Sequence, residues 1–275
     1  MDEPAPMPER ALVYRHRLVT RIWHWVNAIT VFVMLMSGLM IFNAHPRLYW
    51  GHYGANLDRA WLSIGATQDQ GILSIGDIDI PTTGVLGRWT DKHGEVQTRA
   101  FPGWATIPSY YSLSASRRWH LAFAWVLVVG GLLYWLISFL NRHVQKDLLP
   151  KRAELSPRHV WHDIKAHAHL RFPTGEAALR YNILQKLAYV GVLFLLLPLI
   201  VLTGLAMSPA MDAAWPWLVD LFGGRQSARS IHFIAAMLIA LFIVVHLLMV
   251  VLAGPFNEIR SMITGRYRLP KARRS

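Results

Sequence analysis

Residues 230–250 read SIHFIAAMLIALFIVVHLLMV, a continuous apolar segment that contains two histidines, His232 and His246. A helix that crosses a bilayer needs roughly 20 apolar residues, so this segment is long enough to span a membrane. Ionisable side chains inside such a segment are costly and by default functional. The segment therefore predicts a membrane-spanning helix whose two histidines carry part of the chemistry of the protein.

The composition of the whole chain also indicates an integral membrane protein. Of the 275 residues, 53% are hydrophobic and only 16% are charged, whereas roughly a quarter of the residues are charged in an ordinary soluble domain. The chain has no cysteine, which excludes disulfides, thiolate-bound iron–sulfur clusters and haem attached through a C-x-x-C-H motif. Any metal must therefore be bound by histidine, methionine or carboxylate side chains.

Four segments are long and apolar enough to be spans, at about 22–42, 119–140, 185–206 and 231–253. Because backbone groups in a bilayer must form their hydrogen bonds within the segment, helices are the expected structure. We predict an all-α membrane protein, a four-transmembrane-helix bundle that forms a single domain over residues 1–275. A long loop, 43–118, joins helices 1 and 2, and a second loop, 141–184, joins helices 2 and 3.

Lysine and arginine predict the orientation of the spans. Four arginines precede or begin the first span, the 141–184 loop has eight basic residues, and the tail after Gly254 has six. The opposite side has only Arg225 and Arg229 in its short loop, and a long translocated segment such as 43–118 counts little. The positive-inside rule therefore places both termini in the cytoplasm. The net charge of +12 is assigned to this topology and to anionic membrane lipids, and no nucleic-acid partner is expected.

Both long loops contain patterns of their own. In the outer loop, IDIPTTGVLGRWTDKHGEV (78–96) predicts short strands and turns that would cap the outer end of the bundle or receive a partner. In the inner loop, His159, His162, His167 and His169 lie at helical spacings. This leaves two interpretations, zinc ligands or a basic helix at the membrane surface, and the second is favoured.

The histidines of the spans form two pairs by depth. His24 begins span 1 on the cytoplasmic side, and His120 begins span 2 on the outer side. His232 begins span 4 on the outer side, and His246 lies roughly 21 Å further in, at a rise of about 1.5 Å per residue. The two histidines of span 4 project about 40° apart, so one helix presents ligands at two levels. His120 therefore matches His232, and His24 matches His246.

A single histidine in a span is as often a hydrogen-bonded packing residue as a ligand, but four that pair by depth indicate metal ligands. Neutral imidazole is a strong axial ligand for haem iron. We predict two non-covalent b-type haems with bis-histidine ligation, one held by His24 and His246 and one by His120 and His232. Gly38 lies at the outer level of span 1 and would leave room for such a cofactor, or would simply allow close helix packing.

The motifs around these histidines are RIWHW (21–25), RRWHLAFAW (117–125), RYNILQKLAYV (180–190), PLIVLTGLAMSP (198–209) and the H-x13-H of span 4. Over all four spans they resemble the cytochrome b subunits of respiratory formate dehydrogenases and, more closely, those of thiosulfate reductases. The resemblance implies a quinone-reactive electron carrier of the bacterial inner membrane with two haems, the inner one on His24 and His246. It also implies that Asn182 lies at the quinone pocket near the inner haem, although Leu184 stands where the formate dehydrogenases have glycine.

The predicted function is electron transfer between the quinone pool and an extracytoplasmic oxidoreductase that docks near 43–118, with no catalytic residue assigned. The resemblance suggests a molybdenum enzyme as the partner. Asn182, Gln185 and Lys186 are the polar groups that would serve quinone protonation, while Lys186 alternatively extends from the span to the membrane surface. Two other functions stay open: a stand-alone superoxide:quinone oxidoreductase of the same fold, and an anchor or transporter whose histidines carry protons or metal ions. The long outer loop favours a docked partner, and the absence of acidic residues from the spans disfavours a proton-coupled transporter.

Overall fold

The structure is a computed structural model that describes residues 12–55, 57–169, 179 and 181–269. In chain order its strands and helices are β1 (Leu12–Tyr14), α1 (Leu18–Phe42), β2 (Arg47–Leu48), β3 (Leu62–Ala66), β4 (Gly71–Ile75), β5 (Ile78–Pro81), β6 (Trp89–Thr90), β7 (Val96–Gln97), α2 (Leu113–Leu140), α3 (Pro157–Ala168), α4 (Ile183–Gly191), α5 (Leu197–Ala206), α6 (Pro209–Ala214), α7 (Pro216–Leu221), α8 (Arg225–Ala253), α9 (Pro255–Thr264) and β8 (Arg266–Arg268). The connection from α2 to α3 also contains a π-helical turn (Val144–Leu148) and a 3-10 turn (Arg152–Leu155).

The four predicted spans are confirmed as helices that are long and apolar enough to cross a membrane. They are Leu18–Phe42, Leu113–Leu140, Ile183–Ala206 and Arg225–Ala253. Their last residues agree with the sequence-based ends, but they begin at 18, 113, 183 and 225 instead of 22, 119, 185 and 231. The additional residues, such as RQSARS at 225–230, are too polar to carry a hydrophobic signal, yet they continue the helix.

Many side chains on the spans are both apolar and exposed. Ile29 and Phe32 on α1 are each 60% exposed, and Leu241 and Val244 on α8 are 59% and 63% exposed. Soluble monomers rarely expose contiguous apolar surface of this extent. The outward faces of these helices therefore suit a hydrocarbon environment, in which the backbone hydrogen bonds of each helix are satisfied internally.

The third span consists of two helices, α4 and α5, joined by a π-helical turn over Val192–Leu196. Pro198 is the second residue of α5. A proline has no backbone N–H, and its ring displaces the carbonyl of the residue four positions earlier, here Phe194. An ordinary residue at position 198 would have donated a hydrogen bond to the Phe194 carbonyl. The π-helical turn lies at this missing hydrogen bond, and such irregularities are common where a proline interrupts a helix.

The chain divides into two compact units. Unit 1 comprises Met1–Asn27, Gly130–Leu195 and Leu241–Ser275, and unit 2 comprises Ala28–Val129 and Leu196–Ala240. Every span contributes residues to both units, because the boundaries between them fall inside the spans. The single domain expected from the sequence stays a prediction.

In unit 2, residues 43–112 form a small β structure, which we call the insert. β2, β3, β4 and β5 make an antiparallel sheet in that order, and β6 pairs with β7. Leu48, Leu62 and Ile64 of this sheet pack with Phe42, the last residue of α1. The expectation of a long loop in an all-α chain is therefore corrected: the chain is mostly helical, and strands form in the segment where the sequence showed turn signals.

The insert is hydrogen-bonded to the first turn of α8 through Gly51. The Gly51 carbonyl accepts from the backbone N–H groups of Gln226 and Ser227, at 3.0 and 3.1 Å. In the other direction, the Gly51 N–H donates to Ser227 Oγ at 2.7 Å. The first N–H groups of a helix have no partner within it, so the insert supplies the acceptors that α8 needs at its start.

The next turn of α8 is bonded to the insert through side chains. Ser230 Oγ donates to the Tyr49 carbonyl at 2.6 Å and accepts from Trp61 Nε1 at 2.9 Å. Arg229 donates to the His45 carbonyl at 2.5 Å. The helix end that precedes His232 is therefore fixed by the insert.

In unit 1, both ends of the described chain meet. β1 pairs with β8 in antiparallel register. Arg15 forms an ion pair with Glu258 of α9 at 3.2 Å, and its guanidinium lies 4.4 Å above the ring of Tyr267. Burial raises the pKa of Tyr267 above its ordinary value, so its hydroxyl stays protonated. These contacts connect the segment before α1 to the segment after α8.

Candidate metal centres

His24 and His246 come together in unit 1. Their ring centroids are 6.2 Å apart, with an angle of 64° between the rings. Phe242, one turn before His246, stacks on it at 5.8 Å and 15°. Trp25 meets His24 edge-on at 5.2 Å. This pair is therefore surrounded by aromatic rings.

His120 and His232 come together in unit 2, again with ring centroids 6.2 Å apart and with an angle of 57° between the rings. Nδ1 of His120 lies 3.1 Å from the Met34 carbonyl and 3.1 Å from Ser37 Oγ. Nδ1 of His232 lies 3.0 Å from Thr203 Oγ1. In both rings Nε2 is the nitrogen that remains for a ligand.

Two glycines allow the rings of this second pair to lie close to neighbouring helices. A Cβ on Gly38 would lie 3.4 Å from Cε1 of His120, and a Cβ on Gly204 would lie 3.5 Å from Cε1 of His232. These distances are ordinary contacts for a methyl group, but they leave no space for a larger side chain. Gly38, which the sequence singled out as a source of room, therefore faces a histidine.

Both pairs fit the ligation of one metal by two opposed imidazoles. A metal–imidazole bond is about 2.0–2.1 Å long and a ring centroid lies roughly 1.1 Å beyond the nitrogen, so opposed rings have centroids about 6.3 Å apart. The separation in each pair is 6.2 Å. Within the described part of the chain, no group of three or more His, Cys, Asp or Glu is placed to hold a metal. A group that brings further ligands of its own, such as the four nitrogens of a porphyrin, would suit a pair of histidines.

Asn182 is the N-cap of α4. Its side-chain oxygen accepts from the Gln185 N–H at 2.9 Å, and Gln185 Oε1 accepts from the Asn182 N–H at 3.2 Å. This reciprocal arrangement is a capping box, which stabilises the start of a helix. Asn182 belongs to unit 1, as do His24 and His246. Its assignment to a quinone pocket stays a prediction, and helix capping is a second role that the sequence analysis missed.

Lys186 is buried, with an exposure of 6%. Its Nζ donates to both carboxylate oxygens of Glu154, at 2.9 and 2.8 Å. The hydrogen bond from Lys186 holds the pKa of Glu154 below its ordinary value. Lys186 is thus paired with a carboxylate and does not extend to water.

The histidines of the inner connection do not form a metal centre among the described side chains. His159 and His162 lie on α3, and His169 follows it, while the side chain of His167 lies outside the described residues. Across residues 12–55, 57–169, 179 and 181–269, no cluster with three possible ligands occurs. The helical conformation of α3, with Trp161 57% exposed, suits the alternative of a surface helix.

Ser37, Thr203 and Gly204 are the residues at these centres that the sequence analysis did not single out. Each hydroxyl residue directly precedes the glycine that faces the same histidine, in the dipeptides Ser37–Gly38 and Thr203–Gly204. The repeated dipeptide is a possible signal. Small residues of this kind are common in transmembrane helices, however, so the pattern by itself does not distinguish a ligand support from helix packing.

The sequence was compared with known families and proteins. The family described as prokaryotic cytochrome b561 matches residues 15–265. "Putative protein-methionine-sulfoxide reductase subunit YedZ1" of Azospira oryzae is 25% identical over 232 residues, which cover 84% of this chain and 87% of the relative. "Probable Ni/Fe-hydrogenase B-type cytochrome subunit" of Azotobacter vinelandii is 23% identical over 261 residues, which cover 91% of this chain and 85% of the relative.

No solved structure matches the chain with significance. The family match begins before the first span and ends after the last one, and it includes all four histidines of the two pairs. The chain therefore belongs to the prokaryotic cytochrome b561 family, a family of membrane b-type cytochromes.

Proposed function

We propose that the chain is an electron-transfer subunit that binds two b-type haems, one through His24 and His246 and one through His120 and His232. The observation that carries the proposal is the spacing of both pairs, whose ring centroids are 6.2 Å apart. A haem whose iron is held by two histidines would exchange single electrons and would not bind a substrate at the iron. The four histidines would supply neutral ligands, and the apolar helices around them would exclude water.

The proposed electron path joins the quinone pool to an oxidoreductase outside the cytoplasm. The excess of Lys and Arg in the N-terminal segment, in the 141–184 connection and in the C-terminal tail supports an orientation with both termini in the cytoplasm of a bacterium. The insert then lies on the opposite side and is the proposed docking region. His24 and His246 would form the inner centre, on the quinone side, and His120 and His232 the outer centre.

A separate redox partner is favoured by the names of the relatives. One is named as a subunit of a protein-methionine-sulfoxide reductase and the other as a subunit of a Ni/Fe hydrogenase. Both names describe a subunit of a larger enzyme. A closer kinship to the formate dehydrogenase and thiosulfate reductase cytochromes, with a molybdenum enzyme as the partner, remains part of the proposal on the motifs given above.

The first test is the haem content of the purified protein and of four variants. A pyridine haemochrome assay is expected to give two b haems per chain. His120→Ala and His232→Ala should each lose one and the same haem, because the two residues share it. His24→Ala and His246→Ala should each lose the other haem. Absorption and EPR spectra of the oxidised protein should show low-spin iron in the wild type.

The matched control for this test is His93→Ala, since His93 is an exposed histidine of the insert. It should retain both haems. Because an empty cofactor cavity destabilises the bundle, the amount of folded protein must be compared before the spectra. One haem per wild-type chain, or a His232→Ala spectrum that matches that of His24→Ala, would contradict the proposed pairing.

The second test concerns quinone and Asn182, and its design must separate capping from ligand binding. Asn182→Ala removes the cap and is expected to cost about 0.5–2 kcal/mol of stability whatever else the residue does. Asn182→Ser keeps a capping oxygen but loses the amide. If Asn182 binds quinone, the Ser variant should retain both haems and a wild-type thermal midpoint, yet its haems should be reduced more slowly by a soluble quinol such as menadiol.

Asn257→Ser is the control, because it removes the amide of another asparagine of unit 1, whose Nδ2 donates to the Arg268 carbonyl and which has no proposed role with quinone. Stopped-flow reduction of all three variants gives the comparison. Equal reduction rates in the wild type and in Asn182→Ser would remove Asn182 from the quinone pocket without affecting the assignment of the haem ligands.

A further inference from the structure

Ser37 and Thr203 are placed in nearly identical ways against the two histidines of unit 2. The hydroxyl-to-Nδ1 distance is 3.1 Å for Ser37 and His120 and 3.0 Å for Thr203 and His232. Each hydroxyl also lies 3.2 Å from the carbonyl three residues earlier in its own helix, and the Thr203 hydroxyl lies closer still, 2.7 Å, to the Leu199 carbonyl. The two dipeptides therefore form the same support twice, on α1 for one ligand and on α5 for the other.

The hydrogen bonds determine which ring nitrogen carries the proton. Nδ1 of His120 contacts the Met34 carbonyl, and a carbonyl can only accept, so the proton must lie on Nδ1. The hydroxyl proton of Ser37 is used on the same carbonyl, so its oxygen accepts from that Nδ1–H. Nε2 of His120 is then left with its lone pair, which is the form that binds a metal.

The same argument applies to His232. The Thr203 hydroxyl donates to the Leu199 carbonyl at 2.7 Å, and its single proton is thereby used. Its oxygen must therefore accept from Nδ1–H of His232. Both histidines of this pair are thus held in one tautomer, each with Nε2 free to bind.

In the described part of the chain, the pair in unit 1 has no such support. Among the described residues, no side chain or backbone group hydrogen-bonds a ring nitrogen of His24 or His246. Their contacts are with the rings of Trp25 and Phe242. Aromatic packing restrains the orientation of a ring but accepts no hydrogen bond from its N–H. The rings of unit 2 are therefore hydrogen-bonded, whereas those of unit 1 are held by packing.

Building on the proposed haem ligation, we propose that Ser37 and Thr203 are positioning residues that accept from the ring N–H of their histidine and so lower the reduction potential of the haem bound by His120 and His232. Ser37 shares the N–H of His120 with the Met34 carbonyl, so its removal should have the smaller effect of the two. A hydrogen bond from the distal N–H makes a histidine ligand more basic, and such supporting partners change metal affinity by about 10- to 100-fold. A more basic ligand stabilises ferric iron more than ferrous iron, which lowers the potential. No described group has this effect on the haem of the other pair, so the two centres would be chemically unequal.

The test measures the potential of each haem by spectroelectrochemical titration of the complete protein in detergent. Thr203→Val removes the hydroxyl with little change of shape, and Ser37→Ala removes the other one. Each variant should shift the potential of the haem bound by His120 and His232 in the positive direction, and the double variant should shift it further. The potential of the other haem should not move. Thr203→Ser and Ser37→Thr keep the hydroxyl and should restore wild-type values.

Ser116→Ala is the matched control. Ser116 is a fully buried serine on α2, the helix of His120, and its hydroxyl donates to the Leu113 carbonyl at 2.9 Å, but its side chain does not contact a histidine among the described contacts. Its replacement removes an equivalent hydroxyl from the same helix and should leave both potentials unchanged. If Ser37→Ala folds poorly, Ser37→Cys serves in its place, because a thiol is nearly isosteric and a weaker acceptor.

The outcomes separate this inference from the function on which it depends. Two bound haems with unchanged potentials in Thr203→Val and Ser37→Ala would overturn the inference and leave the haem assignment standing. A shift of both haems, or an equal shift in Ser116→Ala, would also overturn it. Selective loss of the haem of His120 and His232 in the hydroxyl-free variants, with retention in Ser116→Ala, would support it. A wild-type protein without two haems would instead refute the proposed function.

Discussion

Lys186 lies buried near the start of an apolar helix because Glu154 neutralises it. The two carboxylate oxygens of Glu154 lie 2.8 and 2.9 Å from its Nζ. A lysine at the end of a span commonly extends toward water, and the sequence does not reveal that a carboxylate 32 residues earlier in the chain is available to it. The ion pair connects the 3-10 turn after α2 to the first turns of the third span.

Glu154→Gln is expected to destabilise the protein by about 1.5–3 kcal/mol, the usual range for hydrogen bonds to charged groups, because Lys186 then stays buried without a carboxylate. The effect should depend on pH. The folded protein holds the pKa of Glu154 below the ordinary value of 4.5, so the stabilisation is complete above that value and is lost as the pH falls through the folded pKa. The difference in thermal midpoint between wild type and variant should be constant near neutral pH and shrink in acid.

Glu95→Gln is the control, since Glu95 is an exposed carboxylate of the insert. The double variant Glu154→Gln/Lys186→Met should regain much of the lost stability, because it removes the unpaired charge. A loss of the same size at neutral pH and in acid would mean that the carboxylate acts through shape and not through charge.

At the scale of single residues, the sequence was sufficient for the partners among the four histidines but not for their supports. Helical rise and periodicity place His120 level with His232 and His24 level with His246, and the structure brings the same partners together. The bond from His120 to Ser37 joins two helices. No local pattern encodes which face of α1 meets α2, so the role of Ser37 required the structure.

The glycines on the helices that face the unit 2 histidines set a limit on side-chain size. Gly38→Ala should be tolerated, because its Cβ would lie 3.4 Å from Cε1 of His120, an ordinary contact. Gly38→Leu adds carbons that must occupy the place of the imidazole. We expect Gly38→Leu to lose the haem held by His120 and His232 and to keep the haem held by His24 and His246, as measured by the ratio of haem to protein and by the remaining absorption band.

Gly191→Leu is the matched helical control, because a Cβ at Gly191 has no atom within 4 Å. It should retain both haems. If Gly38→Leu also retained both haems at wild-type potentials, then α1 could move away from His120 at little cost, and the close approach seen here would not matter for ligation.

At the scale of elements, the apolar segments of the sequence predict the last residues of the membrane-spanning helices but not their first residues. α1, α2, α5 and α8 end at residues 42, 140, 206 and 253, as expected, because hydrophobic character stops there. α8 begins six residues earlier than expected, at 225 instead of 231. The N–H groups of Gln226 and Ser227 are satisfied by the Gly51 carbonyl, and a partner from a distant part of the chain cannot be seen in a local window.

The strands of the insert show the same limit. Turn residues in 78–96 indicated short strands, and β5, β6 and β7 occur there. β2 has only two residues, Arg47 and Leu48, and it pairs with β3 across Ser63 and Leu62. Two residues are too few to show the alternation of apolar and polar side chains by which a strand is recognised in a sequence. β2 is a strand because it pairs with β3.

At the scale of the whole molecule, each compact unit contains one histidine pair. α8 contributes His246 to unit 1 and His232 to unit 2. α1 likewise contributes His24 to unit 1 and the Ser37–Gly38 support to unit 2. The two pairs share no residue, so we expect the effects of substitutions within one pair on stability to add to those within the other.

The hydrogen bonds between the insert and α8 involve mainly backbone atoms of the insert. The acceptors that it offers are the carbonyl oxygens of His45, Tyr49 and Gly51. Every amino acid has a backbone carbonyl. Substitutions in the insert therefore preserve these hydrogen bonds as long as the backbone conformation at these three positions is kept. The exposed side chains of the insert can therefore change in evolution while the helix end before His232 stays as it is. A chimaera that exchanges inserts between distant relatives is the engineering counterpart of this freedom.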